Sequence, residues 1–89
     1  RPNLQELGKL MIGQNVKEML ECDLALEMIA VPDLRDAIKD CEACGDFVSR
    51  DLFNDILISE EEHVDWLETQ LGLIEKTGRE NYLQAQMGE

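Results

Sequence analysis

Two residues in the second half of the chain have the types and the spacing of a metal-ligand pair. Glu60 and His63 stand at positions i and i+3, so a helix would place them one above the other on one face. The carboxylate can then bridge two metal ions while the imidazole binds one of them, as in carboxylate-bridged di-metal bundles. The pair alone is a weak signal, because Glu-x-x-His also occurs by chance and a lone histidine on an apolar stripe is usually a hydrogen-bonded core residue.

Acidic residues also interrupt the apolar stripe of an earlier segment. That stripe repeats every three or four positions and consists of Val16, Leu20, Asp23, Glu27, Ala30, Leu34 and Ile38. The later stripe has the same spacing and consists of Leu52, Ile56, Glu60, His63, Leu67, Leu71 and Ile74. Buried carboxylates are costly unless they are paired or bind a metal. Two stripes with acid at their centres therefore predict a cation held between two helices, whereas Glu61 and Glu62 fit a solvated face.

Positioning these side chains requires two long helices that lie side by side. We predict a crossover loop over residues 1–14, long helices over about 15–44 and 46–77, and a short amphipathic helix over about 80–87. Glycine and proline are scarce within the helical segments, and runs of β-branched residues are absent. The predicted class is all-α, with an antiparallel pair of helices joined by a very tight turn.

Local signals predict where these helices begin and end. Asn15 with Glu18 three residues later is typical of an N-terminal capping box. Gly45 is suited to follow the first long helix, and Asp46 is suited to cap the second. Pro32 falls inside the first long helix, where it removes a backbone donor and crowds the carbonyl four residues earlier, so we expect a kink or a local break there.

The composition limits the classes of partner. The 89 residues include 20 acidic and 8 basic side chains, which give a net charge of −12. This charge argues against nucleic acid and suits a surface or cavity that gathers cations, although solubility alone is an equally simple explanation. No apolar run reaches the ~20 residues that span a bilayer, and the first residues do not resemble a signal peptide. We therefore expect no membrane partner and a cytoplasmic location.

The three cysteines are expected to be free thiols. Cys22, Cys41 and Cys44 form an odd set without a secretory signal, which favours a reducing compartment. Cys41 and Cys44 have CxxC spacing, but no second pair completes a zinc site. A metal or redox role for the pair is therefore not favoured.

Several stretches resemble the bacterioferritin family of the ferritin-like superfamily, and the similarity covers nearly the whole chain. They are Asp23-Leu24-Ala25-Leu26-Glu27, Val48-Ser49-Arg50-Asp51, Glu60-Glu61-Glu62-His63-Val64-Asp65-Trp66-Leu67-Glu68-Thr69, and Asn81-Tyr82-Leu83-Gln84-Ala85-Gln86. The resemblance implies a ferritin-like four-helix bundle, of which this chain is the C-terminal half. The chain would supply the third and fourth long helices and a short C-terminal helix, and the family assembles as a hollow cage of twenty-four subunits.

The resemblance also implies a di-iron ferroxidase centre, which oxidises Fe(II) to Fe(III) for storage. Glu60 would be a bridging ligand, Glu27 a terminal carboxylate and His63 a terminal imidazole ligand. Asp23 would support these ligands without binding metal. Trp66 is similar to an aromatic residue that passes electrons near the centre, but it could equally be a packing residue.

The family's first two helices are absent from this chain. They carry the other iron ligands and the haem-ligating methionine, so no residue here is assigned to haem, although the resemblance allows haem b in the assembled particle. The implied partners are a chain or segment with those two helices and an oligomeric cage. Asn81 and Gln84 match the short helix that lines the family's channels.

Two departures and two alternatives accompany this reading. Gly45-Asp46-Phe47 stands where the family usually has His-Asp-Tyr, and Pro32 interrupts the third helix. The chain could instead be a catalytically silent structural fragment of a cage. It could also be a self-dimerising hairpin, in which two copies of the ligand set meet across a twofold axis. The ligand types do not identify the metal, because zinc and manganese accept similar ligands.

Overall fold

Two helices of 41 residues each make up the fold. The structure is a computed structural model that describes the backbone of residues 3–87 and the side chains of residues 3–6 and 13–78. Helix α1 spans Leu4–Cys44 and helix α2 spans Phe47–Met87. They run antiparallel as a hairpin that is 67 Å long and 14 Å across its thinnest direction. Residues 3–87 contain no strand, and the all-α prediction is confirmed.

A two-residue turn joins the helices, as the sequence predicts. Gly45 has a φ of 78°, a left-handed conformation that glycine adopts without steric cost. The Gly45 N–H donates to the Glu42 carbonyl at 3.2 Å, and the Asp46 N–H donates to the Cys41 carbonyl at 2.9 Å. Asp46 Oδ1 then accepts from the Ser49 N–H at 3.0 Å. The predicted roles of Gly45 and Asp46 at this turn are both confirmed.

The outer end of α1 differs from the prediction. The helix begins at Leu4, so the crossover loop predicted for residues 1–14 is not found between residues 4 and 14. Asn3 is the N-cap, and its side chain accepts from the Glu6 N–H at 2.8 Å. Asn15 lies inside the helix instead. A glycine within a helix costs only about 1 kcal/mol relative to alanine, so the glycines of this segment do not prevent helix formation.

Two further predicted interruptions are not found. Helix α2 continues through Gly78 to Met87, so the described chain has no separate helix over 80–87. Gly78 has no left-handed φ that would end the helix, and the residues after it are mostly good helix formers. Helix α1 also continues through Pro32, so the local break is not found there, while the kink stays a prediction. Pro32 is exposed, so water can reach the carbonyl that its missing N–H leaves free.

The hairpin has a thin interior and many exposed apolar side chains. Among the described residues, Val31 and Leu67 are the buried apolar side chains, with exposed fractions of 8% and 0%. Many other large apolar side chains are exposed. We call one set of them the open face: Val16, Met19 and Leu26 on α1, and Leu52, Ile56, Trp66 and Leu73 on α2. Their three- and four-residue spacings, or sums of these, place each set along one side of its helix.

Candidate metal centre

Three predicted ligand residues meet near the middle of the hairpin. Glu27 comes from α1, and Glu60 and His63 come from successive turns of α2. Each offers one ligand atom, and these atoms all lie within 4.8 Å of one another. His63 Nδ1 lies 3.5 Å from Glu27 Oε1. The i to i+3 spacing on α2 produces this grouping, because the antiparallel packing brings Glu27 opposite one turn of the partner helix.

The two carboxylates are more enclosed than the imidazole. The Glu27 side chain is 15% exposed, whereas that of His63 is 44% exposed. The Oε2 atoms of Glu27 and Glu60 are both buried and have no hydrogen-bond donor. A buried carboxylate oxygen without a partner is costly, and a bound cation removes that cost.

Among the described residues, no lysine or arginine pairs with these two carboxylates, Glu27 and Glu60. Arg35 instead contacts Glu61 at 2.8 Å, in an exposed pair that links the two helices. The negative charge at the centre is therefore available to a metal ion.

An open groove gives access to the carboxylates. Its volume is about 470 Å³, and its lining residues are Glu27, Ala30, Asp33, Leu34, Ile56 and Glu60. Asp33 was not predicted as a site residue. It lies three residues after Ala30, at the edge of the helix face that contains Glu27. Including the residues that flank this face would have identified it.

The remaining predicted residues lie in different positions. The Trp66 ring stacks against His63, with ring centroids 6.3 Å apart and planes at 28°. Asp23 is exposed and lines a second groove along with Met19 and Cys22, and it is not one of the three clustered ligand residues. The side chains of Asn81 and Gln84 lie outside the described residues.

The thiols are free and take no part in this cluster. Cys22, Cys41 and Cys44 form no disulfide. Cys44 Sγ donates to the Cys41 carbonyl at 3.5 Å. Partial desolvation, followed by the nearby charge of Asp46, raises the pKa of the Cys41 thiol. A raised pKa makes the metal-binding thiolate scarcer at neutral pH.

The donor set suits iron. Carboxylate oxygens are hard ligands that favour Fe(III), and an imidazole nitrogen binds Fe(II) well. The free Oε2 atoms of Glu27 and Glu60 are available as ligands beside the oxygens nearer His63. Three ligand residues leave coordination positions open, so a metal ion held here would take further donors.

The sequence is similar to known proteins over most of its length. The sequence profile of the ferritin-like domain family matches residues 1–77. A bacterioferritin of Brucella melitensis is 49% identical over 81 residues, which are 91% of this chain and 50% of that protein. A bacterial ferritin of a Synechocystis species is 47% identical over 87 residues, which are 97% of this chain and 56% of that protein. A bacterioferritin of Rhodobacter capsulatus is 44% identical over 81 residues, or 91% and 50% of the two chains.

The chain spans about half the length of the curated relatives that it matches. Within residues 3–87, neither helix combines the length and the apolar content needed to cross a membrane.

Proposed function

The chain belongs to the ferritin-like domain family, and from that premise we propose that it supplies half of a di-iron centre that oxidises Fe(II) to Fe(III) for storage. The observation that carries the proposal is the cluster of Glu27, Glu60 and His63, whose ligand atoms lie within 4.8 Å of one another. Its two orphaned carboxylate oxygens give a metal ion a physical reason to bind there.

Each residue has a distinct part in this proposal. Glu27, Glu60 and His63 would hold the iron, with Glu60 as the bridging carboxylate and Glu27 and His63 as terminal ligands. Iron held there would supply the one-electron chemistry, with oxygen or peroxide as the oxidant. The protein's contribution is to fix the ligands, since packed helices hold them more rigidly than loops would. Trp66 stacks on His63.

The open face is where the missing half of the centre would pack. Its apolar side chains are exposed in this hairpin, and two further helices carrying carboxylate and imidazole ligands would cover them and complete the site. We propose that the completed bundles assemble as a cage with an acidic cavity, in line with the net charge of −12. Haem b in that cage, channel roles for Asn81 and Gln84, and a cytoplasmic location remain predictions from the sequence.

Aerobic iron oxidation by a complemented complex tests this function. The chain is expressed together with the N-terminal half of the Brucella melitensis bacterioferritin, and Fe(II) is added in air. We expect a ferric absorption band to develop much faster than in buffer. Glu60→Gln is expected to slow the band at least 100-fold, because an amide cannot replace a bridging carboxylate.

Glu68→Gln is the matched control for that measurement. Glu68 lies two turns after Glu60 on the same helix, is exposed, and is outside the ligand cluster. This variant makes the same change in charge and should oxidise iron at the wild-type rate. A complemented complex that binds iron but oxidises it no faster than buffer would contradict the function and leave a structural role.

A further inference from the structure

The last turn of α1 carries two thiols that the carboxylate cluster does not use. Cys41 and Cys44 are both free, and they stand at positions i and i+3 of the helix, which ends at Cys44. Side chains with this spacing lie one above the other, with Cβ atoms about 5–6 Å apart. The Cys44 Sγ atom turns back over this turn and donates to the Cys41 carbonyl at 3.5 Å. Both thiols therefore lie on the same side of the helix end.

The hairpin turn fixes the backbone that carries these two thiols. The Asp46 N–H donates to the Cys41 carbonyl at 2.9 Å, and the Gly45 N–H donates to the carbonyls of the same helical turn. The left-handed conformation of Gly45 closes the helix at this point. All of these contacts lie within residues 41–46. The position of one thiol relative to the other therefore does not depend on what packs against the rest of the hairpin.

Distances decide whether the two sulfur atoms are better suited to a disulfide bond or to a shared metal ion. A disulfide bond requires Cβ atoms about 3.5–4.5 Å apart, so closing one here would distort the last helical turn. A metal–thiolate bond is about 2.3 Å long for zinc, and Cu(I) forms bonds of similar length. One ion can therefore join sulfur atoms up to about 4.6 Å apart, which the helical spacing of the Cβ atoms allows. An undistorted helix end favours the metal ion.

We infer that Cys41 and Cys44 form a two-thiolate binding site for Cu(I), separate from the carboxylate cluster. Thiolates are soft ligands that select soft ions such as Cu(I), whereas Fe(II) and Mn(II) accept harder donors. A structural zinc site takes four ligands, but Cu(I) is satisfied by two thiolates in a linear arrangement. The remaining cysteine, Cys22, lies about 28 Å before Cys41 along α1. Two adjacent thiols thus fit Cu(I) better than zinc, although their spacing alone does not favour a metal.

Binding displaces two protons from the thiols. Two S–H bonds break, two Cu–S bonds form, two protons go to solvent, and no atom changes its oxidation state. Partial desolvation, followed by the nearby charge of Asp46, raises the pKa of the Cys41 thiol, so the metal ion competes with a firmly held proton. Cysteine thiols are largely protonated below neutral pH. The Cu(I) affinity should therefore rise about 100-fold per pH unit between pH 6 and pH 7.

The thiols are too far from the carboxylate cluster to share an ion with it. Cys41 lies 14 residues after Glu27 on the same helix, which is about 21 Å at 1.5 Å per residue. The hard ligands and the soft ligands therefore bind different ions at different places. Copper binding at the thiols stands whether or not the chain oxidises iron.

Competition with bicinchoninate, a chromogenic Cu(I) chelator, tests the site on the 89-residue chain in anaerobic, reducing buffer. We expect one Cu(I) per chain and a thiolate-to-copper charge-transfer band in the ultraviolet. Cys41→Ser and Cys44→Ser should each weaken Cu(I) binding at least 100-fold, because a hydroxyl does not replace a thiolate as a ligand for a soft ion. Cys22→Ser is the matched control and should bind Cu(I) as tightly as wild type.

A positional exchange separates helical geometry from the number of thiols. The double variant Ala43→Cys, Cys44→Ala keeps three cysteines but places the second thiol two residues after Cys41, where helical side chains do not face each other. We expect this variant to bind Cu(I) at least tenfold more weakly than wild type, with the same helix content by circular dichroism. Binding as tight as wild type overturns the inference, because any two neighbouring thiols would then suffice.

Two further results would also overturn it. One is the release of fewer than two protons per Cu(I), measured with a pH indicator in weak buffer, because a single thiolate would then hold the ion. The other concerns Glu60→Gln, which should slow iron oxidation and leave Cu(I) affinity unchanged. If Glu60→Gln weakens Cu(I) binding as much as Cys44→Ser does, the thiol site is not separate from the carboxylate cluster. A complemented complex that fails to oxidise iron, with Cu(I) binding intact, removes only the proposed function.

Discussion

Glu27 is the residue at which binding and stability should oppose each other most clearly. Its side chain is only 15% exposed, and its Oε2 atom lacks a hydrogen-bond donor. Glu27→Gln removes the charge but keeps the shape. We expect it to lower Co(II) affinity of the complemented complex at least tenfold. We also expect it to stabilise the metal-free complex by about 1 kcal/mol, because it removes a mostly buried charge whose Oε2 atom lacks a hydrogen-bond donor. Calorimetric titration and thermal melting of the same samples measure both effects.

Asp23→Asn is the matched control on the same helix. Asp23 lies one turn before Glu27 but is exposed and lines a different groove. The variant should leave both Co(II) affinity and the melting temperature near wild type. A tenfold loss of affinity in Asp23→Asn would show instead that Asp23 supports the ligands, as the family resemblance implies.

The ligand cluster could be predicted from sequence because its signal is periodic. A carboxylate or imidazole on an apolar stripe is visible in the spacing of Glu27, Glu60 and His63, and antiparallel packing brings the stripe centres together. The orphaned oxygens and the unequal exposure of Glu27 and His63 could not be predicted. These features depend on how closely the two helices approach each other and on which side of the pair is left uncovered. The spacing of residues in the sequence gives neither.

At the level of the helices, a boundary marked by two adjacent signals was predicted correctly, whereas a boundary whose capping signal occurs twice in the sequence was not. Gly45 and Asp46 mark the turn because the left-handed conformation and the N-cap are adjacent and occur together. The predicted start of α1 was wrong because the sequence contains the same capping signal twice, as Asn3 with Glu6 and as Asn15 with Glu18. The capping residues alone do not show which of two equivalent caps is used. The cap at Asn3 is used because the residues between the two caps are themselves helical.

The cap at Asp46 makes the stability of α2 depend on pH. Hydrogen bonds from the side chain and the backbone N–H of Ser49 lower the pKa of Asp46 below its ordinary value of 3.8. Since the folded pKa is the lower one, the stabilisation is fully present above the ordinary value and is lost as pH falls through the folded pKa. Asp46→Asn keeps an acceptor for the cap but cannot ionise.

We therefore expect the melting temperature of the chain to exceed that of Asp46→Asn at about pH 6 and to approach it at about pH 2. Circular dichroism melts of the two proteins across this pH range measure the difference in melting temperature. The other carboxylates are common to both proteins, so their titration does not contribute to that difference. A difference that stays constant down to the lowest pH would contradict the assignment of the pH effect to this cap.

For the whole molecule, net charge and the open face act in opposite directions. The apolar side chains of that face favour association, and the charge of −12 on each chain opposes it. Salt screens the repulsion but leaves apolar burial nearly unchanged, since the Debye length falls from about 30 Å at 0.01 M to about 8 Å at 0.15 M. Raising the salt concentration over this range should therefore increase the self-associated fraction of the chain severalfold in sedimentation equilibrium.

A change of charge away from the open face should reproduce part of that effect. Glu68→Lys reduces the net charge from −12 to −10 without altering a residue of the open face or of the ligand cluster. At 0.01 M salt it should self-associate more readily than wild type, and at about 0.15 M salt the two proteins should associate equally, because screening removes the repulsion that the substitution relieves. If self-association instead falls as the salt concentration rises, specific ion pairs rather than the apolar side chains hold the chains together.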